Sequence, residues 1–403
     1  MIRTKLSSSV IIVLPNILFL SVVFLCTPIF SAAQKDTVTK RFHIAVFSPL
    51  YLDSVFSSSG NYLPGKNLPK YLTAGLEFYE GIQLAIDSLQ KEKMPLDIYI
   101  YDSRSSNKKF ETILVSEEMK KMDMVLGYVN MNEATQLART SAELKIPFIN
   151  VNLPNAAGIR NNPNYIVLNP TLGTHCNAIY KFIQKNYPLA SIFYFRKKGT
   201  ADDQLKNYFA DAEKNSSSVP LKIKFVTLED TVNSIQLKKF FDSTKTTICI
   251  AGSLDANFSL SLLKQLASIS KVYKSIVIGM PTWESIDFNK SVYKGIEIIY
   301  SSSNYINTDN RLVQILNNHF KIKYFSRPGE LVFSGFETLY HFSHAIVATG
   351  TIGAAGTTLK INTLFGEIDI QPVTNKHTGE TEYLENKKVY FIKKTDGIIK
   401  GVY

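Results

Sequence analysis

HIAVFSPL at residues 43–50, GLEFYEGIQLAIDSLQ at 75–90 and LDIYIYD at 96–102 decide the fold class. The first is a nearly continuous apolar run, the pattern of a strand covered on both faces. The second spaces Leu76, Tyr79, Ile82, Ile86 and Leu89 three or four residues apart, which gives a helix one apolar face. The third returns as a strand. Strands joined by a helix lie parallel, because a parallel pair needs a crossover of about a dozen residues or more. The same grammar then repeats. MVLGYV (124–129) precedes a helix at 132–144, PFINVN (147–152) is a short strand, and NNPNYIVLNPT (161–171) is extended at 165–168 and reads as a first hinge. In a second set, helices at 172–185, 203–213, 234–241 and 258–268 alternate with strands at 191–195, 222–228, 248–252 and 275–280. The chain then changes style. A strand at 295–303 is followed by helices at 309–320 and 331–349, and residues 365–403 alternate as β-hairpins around the turns TNKHTGE and KTDG. The predicted class is α/β, doubly wound with parallel strands, with a hairpin-rich C-terminal tail.

The N-terminus reads as an export signal. Arg3 and Lys5 precede an apolar stretch from 10 to 30, and Ser31, Ala32 and Ala33 supply the small residues of a cleavage site before Gln34. A retained anchor is the rival reading, but Pro15, Asn16 and Pro28 interrupt the stretch and no cationic cluster follows it. Lipidation at Cys26 would need a small residue before it, where the sequence has Leu25. The expected location is the periplasm, reached through a cleaved signal rather than a tether. Residues 34–403 exceed what one core comfortably holds, so two lobes are expected. The net charge of +11 is spread along the chain, densest in FRKKGT (195–200), and lacks the cationic blocks of a nucleic-acid binder. Cys176 and Cys249 fall inside a predicted helix and strand and read as small buried apolar residues.

Catalytic and cofactor motifs are missing. The first strand runs into SPLYLDSVFSSSG without the glycine pair of a dinucleotide site, and GTIGAAG (350–356) follows a helix as a flexible turn. No GxSxG elbow is present. His341 and His344 lie three apart on one helix without companion ligands, and His175 sits where it could cap a helix. No enzyme activity and no cofactor are expected. Polar residues instead gather where the strands end, the place where open parallel sheets bind ligands. They are Tyr128, Asn130 and Asn132 after the third strand, Asn150, Asn152 and Asn155 after the fourth, and Arg196, Lys197, Ser253, Asp255 and Trp283 in the second lobe. Asparagine donates and accepts together, and Trp283 could close over a ligand as an aromatic plate.

IAVFSPL, LEFYEGIQLAIDSL, IYIYDSRSS with Asp102, VLGYVNMNEATQLA, IPFINVNLPN and IVIGMPTW, in that order and spacing, resemble the type I periplasmic binding proteins. That family includes branched-chain amino-acid binding proteins and receptor ligand-binding regions, and the likeness is greatest to an envelope-protein branch of Bacteroidetes-type bacteria. The resemblance implies two Rossmann-like lobes with parallel sheets joined by three crossover strands, with residues 41–168 plus 282–345 as the N-terminal lobe and 169–281 plus 346–403 as the C-terminal lobe. It implies a small polar ligand captured by hinge closure and presented to a membrane transporter permease or envelope receptor, with no nucleic acid involved. The alternative is a sensor, or a protein or peptidoglycan interaction module, on the same fold. Amino-acid-binding members hold the ligand carboxylate with Ser/Thr hydroxyls, where this chain has Asn130-Met131-Asn132 and Asn152-Leu153-Pro154. Asp255 or Glu284 would then pair a ligand ammonium.

Overall fold

The computed structural model describes residues 40–65, 67–229, 232–353, 358–364 and 366–402. The export segment expected at 1–33, with Cys26, and the end of GTIGAAG lie outside the described residues. Among the described residues no helix is long and apolar enough to cross a membrane.

β1 (Phe42–Ser48) is the sealed strand that its apolar run predicts, and it pairs in parallel with β2 (Leu96–Asp102) and β3 (Met124–Gly127). β4 (Phe148–Asn150) and β5 (Tyr165–Val167) extend the parallel order. Alternate side chains of β1 serve two cores. Ile44 and Val46 pack with Phe78 and Ile82 of α2 (Lys70–Lys91), whereas Ala45 and Phe47 pack on the other face. There they meet Phe110 of α3 (Phe110–Leu114) and Leu137 of α4 (Met131–Leu144). The short helix α1 (Leu52–Val55) opens on Asp102, whose carboxylate accepts from the amides of Leu50, Tyr51 and Leu52 at 2.8–3.1 Å.

The chain then crosses to a second sheet. α5 (Leu172–Asn186), β6 (Ser191–Arg196), α6 (Thr200–Lys214), β7 (Ile223–Thr227), α7 (Ser234–Lys238), β8 (Thr247–Ala251), α8 (Ala256–Ile269), β9 (Ser275–Gly279) and β10 (Glu297–Ser302) build it with parallel pairing. Its faces are again separate cores: Ile192, Tyr194, Ile248 and Ile250 meet α5 and α6, and Phe193, Phe195, Cys249 and Ala251 meet α7 and α8. Cys176 and Cys249 are free and buried as expected, and burial pushes the Cys176 thiol up to about 12. The chain recrosses into α9 (Arg311–Tyr324) and α10 (Glu330–Thr349), which cover the first sheet beside α2. β11 (Leu359–Asn362), β12 (Glu367–Thr374) and β13 (Thr381–Asn386) follow, and a third crossing leads to β14 (Tyr390–Thr395) and β15 (Ile398–Val402). The sheets run β11-β12-β13-β5-β4-β3-β1-β2 and β15-β14-β10-β9-β8-β6-β7.

The lobe division expected from the sequence needs two corrections. β10, placed in the N-terminal lobe, pairs in parallel with β9 of the second sheet, because its buried run continues that sheet's core. β11 to β13, placed in the C-terminal lobe, belong to the first sheet, where β13 pairs in parallel with β5. Only β14 and β15 return to the second. The third crossing therefore comes after Asn386, not before the tail.

Candidate functional site

A cavity of about 300 Å³ sits where the three connections between the sheets run side by side. Leu168 and Asn169 come from the first connection, Ser303 to Ile306 from the second, and Asn386 and Tyr390 flank the third. The ends of β3 and β4 add Tyr128, Val151 and Asn152, and the first turns of α10 add Glu330, Phe333, Ser334 and Glu337. The first lobe and the connections supply most of the wall, and Tyr390 at the start of β14 reaches it from the second sheet. Hydrogen bonds hold the connections together. Asn386 donates to the Leu168 carbonyl at 3.1 Å and accepts from the amides of Asp369 and Lys388. Asn169 donates to the Asn152 carbonyl at 3.0 Å.

Of the residues predicted from sequence, the structure brings Tyr128 and Asn152 to this cavity. The Tyr128 ring lies 5.5 Å from that of Phe78, and burial, with Glu77 adding, raises its hydroxyl above the usual range. The Asn152 side chain is committed to the backbone, accepting from the Val129 amide and donating to the Val129 carbonyl, both at 2.9 Å. Asn130 caps α4 in a reciprocal box with Glu133, and Asn132 stands exposed in that first turn. Asn150 is buried, donating to the Tyr165 hydroxyl and the Leu153 carbonyl, and Asn155 accepts from the Ala157 amide. These are local backbone duties, the commonest use of asparagine at strand ends.

The second-lobe candidates form a separate network. Arg196 pairs with Asp203 at 2.5 Å and Lys197 with Asp255 at 2.6 Å, while Ser253 donates to Asp202 at 3.0 Å. Asp255 also caps α8, and Lys197 foremost holds its carboxyl below the usual range. It is therefore not available for a ligand ammonium. Trp283 requires correction as well. It is fully buried in the second-lobe core, 5.6 Å from the Phe288 ring and seated where a Cβ on Gly279 would fall, so it is no plate over a cleft.

Sequence reasoning missed Glu330, Glu337 and the Ser303–Tyr305 stretch. The last follows β10 and obeys the same strand-end rule that selected the asparagines. Glu284 is not among the residues that line the cavity: it accepts from Ser302 at 2.7 Å, and burial, with Glu330 adding, raises its carboxyl. Glu77, beside Gly329 at the start of α10, is raised by burial and by Glu330 in the same way.

The histidines take structural partners. His341 accepts from the Leu364 amide at 3.3 Å and His344 pairs with Glu92 at 2.8 Å, and no group of metal ligands occurs among the described residues. Thr171, not His175, caps α5. His175 is buried against Ser301 at 3.0 Å, and burial, opposed by Glu385, pushes it down to about 4. An unfolded histidine titrates near 6.5, so between these values the unfolded chain binds the extra proton and acid destabilises the fold. Stability is therefore expected to fall by about 2 kcal/mol from pH 7 to pH 5 through His175 alone. Urea unfolding at both values checks this, and His175→Gln should flatten the slope.

No protein-family model matches the sequence, and no curated protein matches it either. Solved structures do match. The fold superposes with TM-score 0.64 on a protein of Rhodospirillum rubrum assigned to branched-chain amino acid ABC transport, at 13% identity, covering 90% of this chain and 100% of that one. The fold is that of the type I periplasmic binding proteins. A substrate-binding protein of Desulfitobacterium hafniense in complex with Leu is similar at TM-score 0.53 and 12% identity, covering 90% and 100%. So is a periplasmic ligand-binding protein of Burkholderia xenovorans, at TM-score 0.53 and 13% identity, covering 90% and 95%. These neighbours are solute-binding proteins rather than enzymes.

Proposed function

We propose that this protein is an extracytoplasmic solute-binding protein. It captures a small polar ligand between its lobes by closing about the three connections, makes and breaks no bond, and presents the ligand to a membrane transporter. The cavity walled by all three connections carries the reading, because a ligand there touches every segment that must bend for the lobes to close. The signal-like residues 1–33 support a periplasmic location, and the resemblance alone supports the Bacteroidetes-type branch.

Residues 34–403, unfolded and refolded to strip bound ligand, are the material for the test. A thermal-shift screen over amino acids, amides, short peptides, sugars and muropeptides should return at least one hit. A binder at a hundred times its Kd stabilises the fold by about 2.7 kcal/mol. A blank across the library overturns the reading.

One observation favours a sensor or interaction module instead. The first lobe carries an apolar groove of about 380 Å³ between Leu50, Leu72 and Tyr79, rimmed by Phe56, Tyr62 and Leu68, each more than two-fifths exposed. Apolar surface of this kind marks contact sites. A blank ligand screen, together with a membrane-fraction partner whose retention Phe56→Asp abolishes, would support that reading.

A further inference from the structure

We propose that the outer face of α9 seats this protein on a bilayer surface carrying anionic headgroups. This goes beyond the solute-binding reading and does not depend on which ligand the cavity takes. The stripe of side chains on α9 gives the contact, and the charge around it selects the occupant.

A surface helix needs one apolar face, and α9 has two. Val313, Leu316 and Phe320 pack in the first-lobe core. Leu312, Ile315 and Ile322 share a second stripe at intervals of three and seven residues, with exposed His319 between them, and Phe325 extends it past the helix end. All four apolar side chains are exposed, Ile322 by 75% and Phe325 by 91%. Single exposed apolar residues are ordinary, but a row of them along one helix is a contact surface. Phe325 sharpens the point. It closes α9 in the left-handed region at φ 54°, where glycine or asparagine is the favoured residue. A phenylalanine held there with its ring in solvent contributes little to the free fold.

The helix sequence RLVQILNNHFKIKY contains no acid, and Asp309 is the only one between residues 303 and 329. Lys323 is answered by Asp87 of α2. Arg311, Lys321 and Arg327 are exposed, and among the described residues none of the three pairs with a carboxylate. A second copy of the chain fits this surface poorly. Pairing α9 with itself would gather the cations of both copies. A helix about 21 Å long also offers far less than the roughly 800 Å² per partner of a stable interface. A bilayer meets neither objection. Apolar side chains sink into the boundary between headgroups and acyl chains, and the cations beside them gain from anionic headgroups.

Cosedimentation of residues 34–403 with vesicles tests the proposal without the apolar stretch at 10–30. Vesicles that mix phosphatidylglycerol with phosphatidylcholine are compared with phosphatidylcholine alone. The expected result is binding to the anionic vesicles that falls as salt rises, and little to the neutral ones. Phe325→Gly and Ile322→Ser should each weaken binding about tenfold. Arg311→Glu with Lys321→Glu should weaken it about as much or more. Phe325→Gly also separates contact from folding, because glycine suits the left-handed cap: the melting temperature of the free variant should hold or rise while binding falls. Equal binding to both vesicle types, or binding that these variants leave intact, overturns the proposal. Sedimentation equilibrium showing a dimer that Phe325→Gly separates would assign the stripe to a second copy and overturn it too. No binding to either vesicle overturns it outright, and none of these outcomes touches the solute-binding reading.

Discussion

Glu385→Ala is expected to lower unfolding stability by about 3 kcal/mol and to loosen the hinge. Glu385 is the last residue but one of β13 in the first sheet, beside the third connection, and is almost completely buried. One carboxylate oxygen accepts from the Thr171 amide at 2.8 Å and the Thr174 hydroxyl at 2.5 Å, both at the start of α5 in the other lobe. The other oxygen takes the Lys387 ammonium at 2.5 Å, and that ammonium also reaches Thr174 at 3.1 Å. One side chain thus ties the first connection to the third. Removing it strands an amide, a hydroxyl and a partly buried cation together, and the unmet groups cost more than the lost attraction. Glu385→Gln keeps acceptors but not the charge and should fall between. If the stranded cation dominates, Glu385→Ala with Lys387→Met recovers part of the loss. Urea unfolding reads the energies, and amide exchange should quicken at Leu168, Asn169 and Thr171 and at 386–389. Stability and exchange both unchanged would mean that the latch is not what holds the connections.

The fold was legible because each core needed its own period. The β2 strand ends at Asp102 in sequence and structure alike, since an alternating run closed by an amide-binding carboxylate leaves little freedom. The lobe membership of β10 and of the tail was not legible, because which sheet a strand joins depends on where the chain crosses. That choice is made by long-range pairing such as β13 with β5. The candidate site failed for a related reason. Asn130, Asn150 and Asn152 satisfy backbone groups a few residues away, and a sequence cannot tell an amide so committed from one free to meet a ligand. Trp283 looked exposed because it follows a strand end, but the missing Cβ of Gly279, four residues earlier, opens the slot that buries it. Glu330 opens α10, and Glu77 and Glu284, whose carboxyls its charge raises, are distant in sequence. Only the packing of α10 against α2 brings this charge to the cavity.

Gly81→Val should be the most damaging change outside the hinge, because it strikes that packing. A Cβ on Gly81 would fall on the carbonyl oxygen of Val332 in α10, and one on Gly335 would fall on the carbonyl oxygen of Phe78 in α2. The two backbones are therefore as close as glycine alone permits, and backbone atoms cannot rotate aside as a side chain can. Overpacking costs of about 3 kcal/mol, the upper end of the usual range, are expected for valine. The same shift would move Glu330 and Phe333 on the cavity wall, so ligand affinity should fall with stability. Gly81→Ala is the sharper test because two effects oppose in sign. Helix propensity alone predicts a gain of about 1 kcal/mol for alanine over glycine inside α2, whereas the contact with Val332 predicts a net loss. Urea unfolding decides between them: a stabilised alanine variant would mean the helices have room to separate, and that the position of Glu330 is not fixed by this contact.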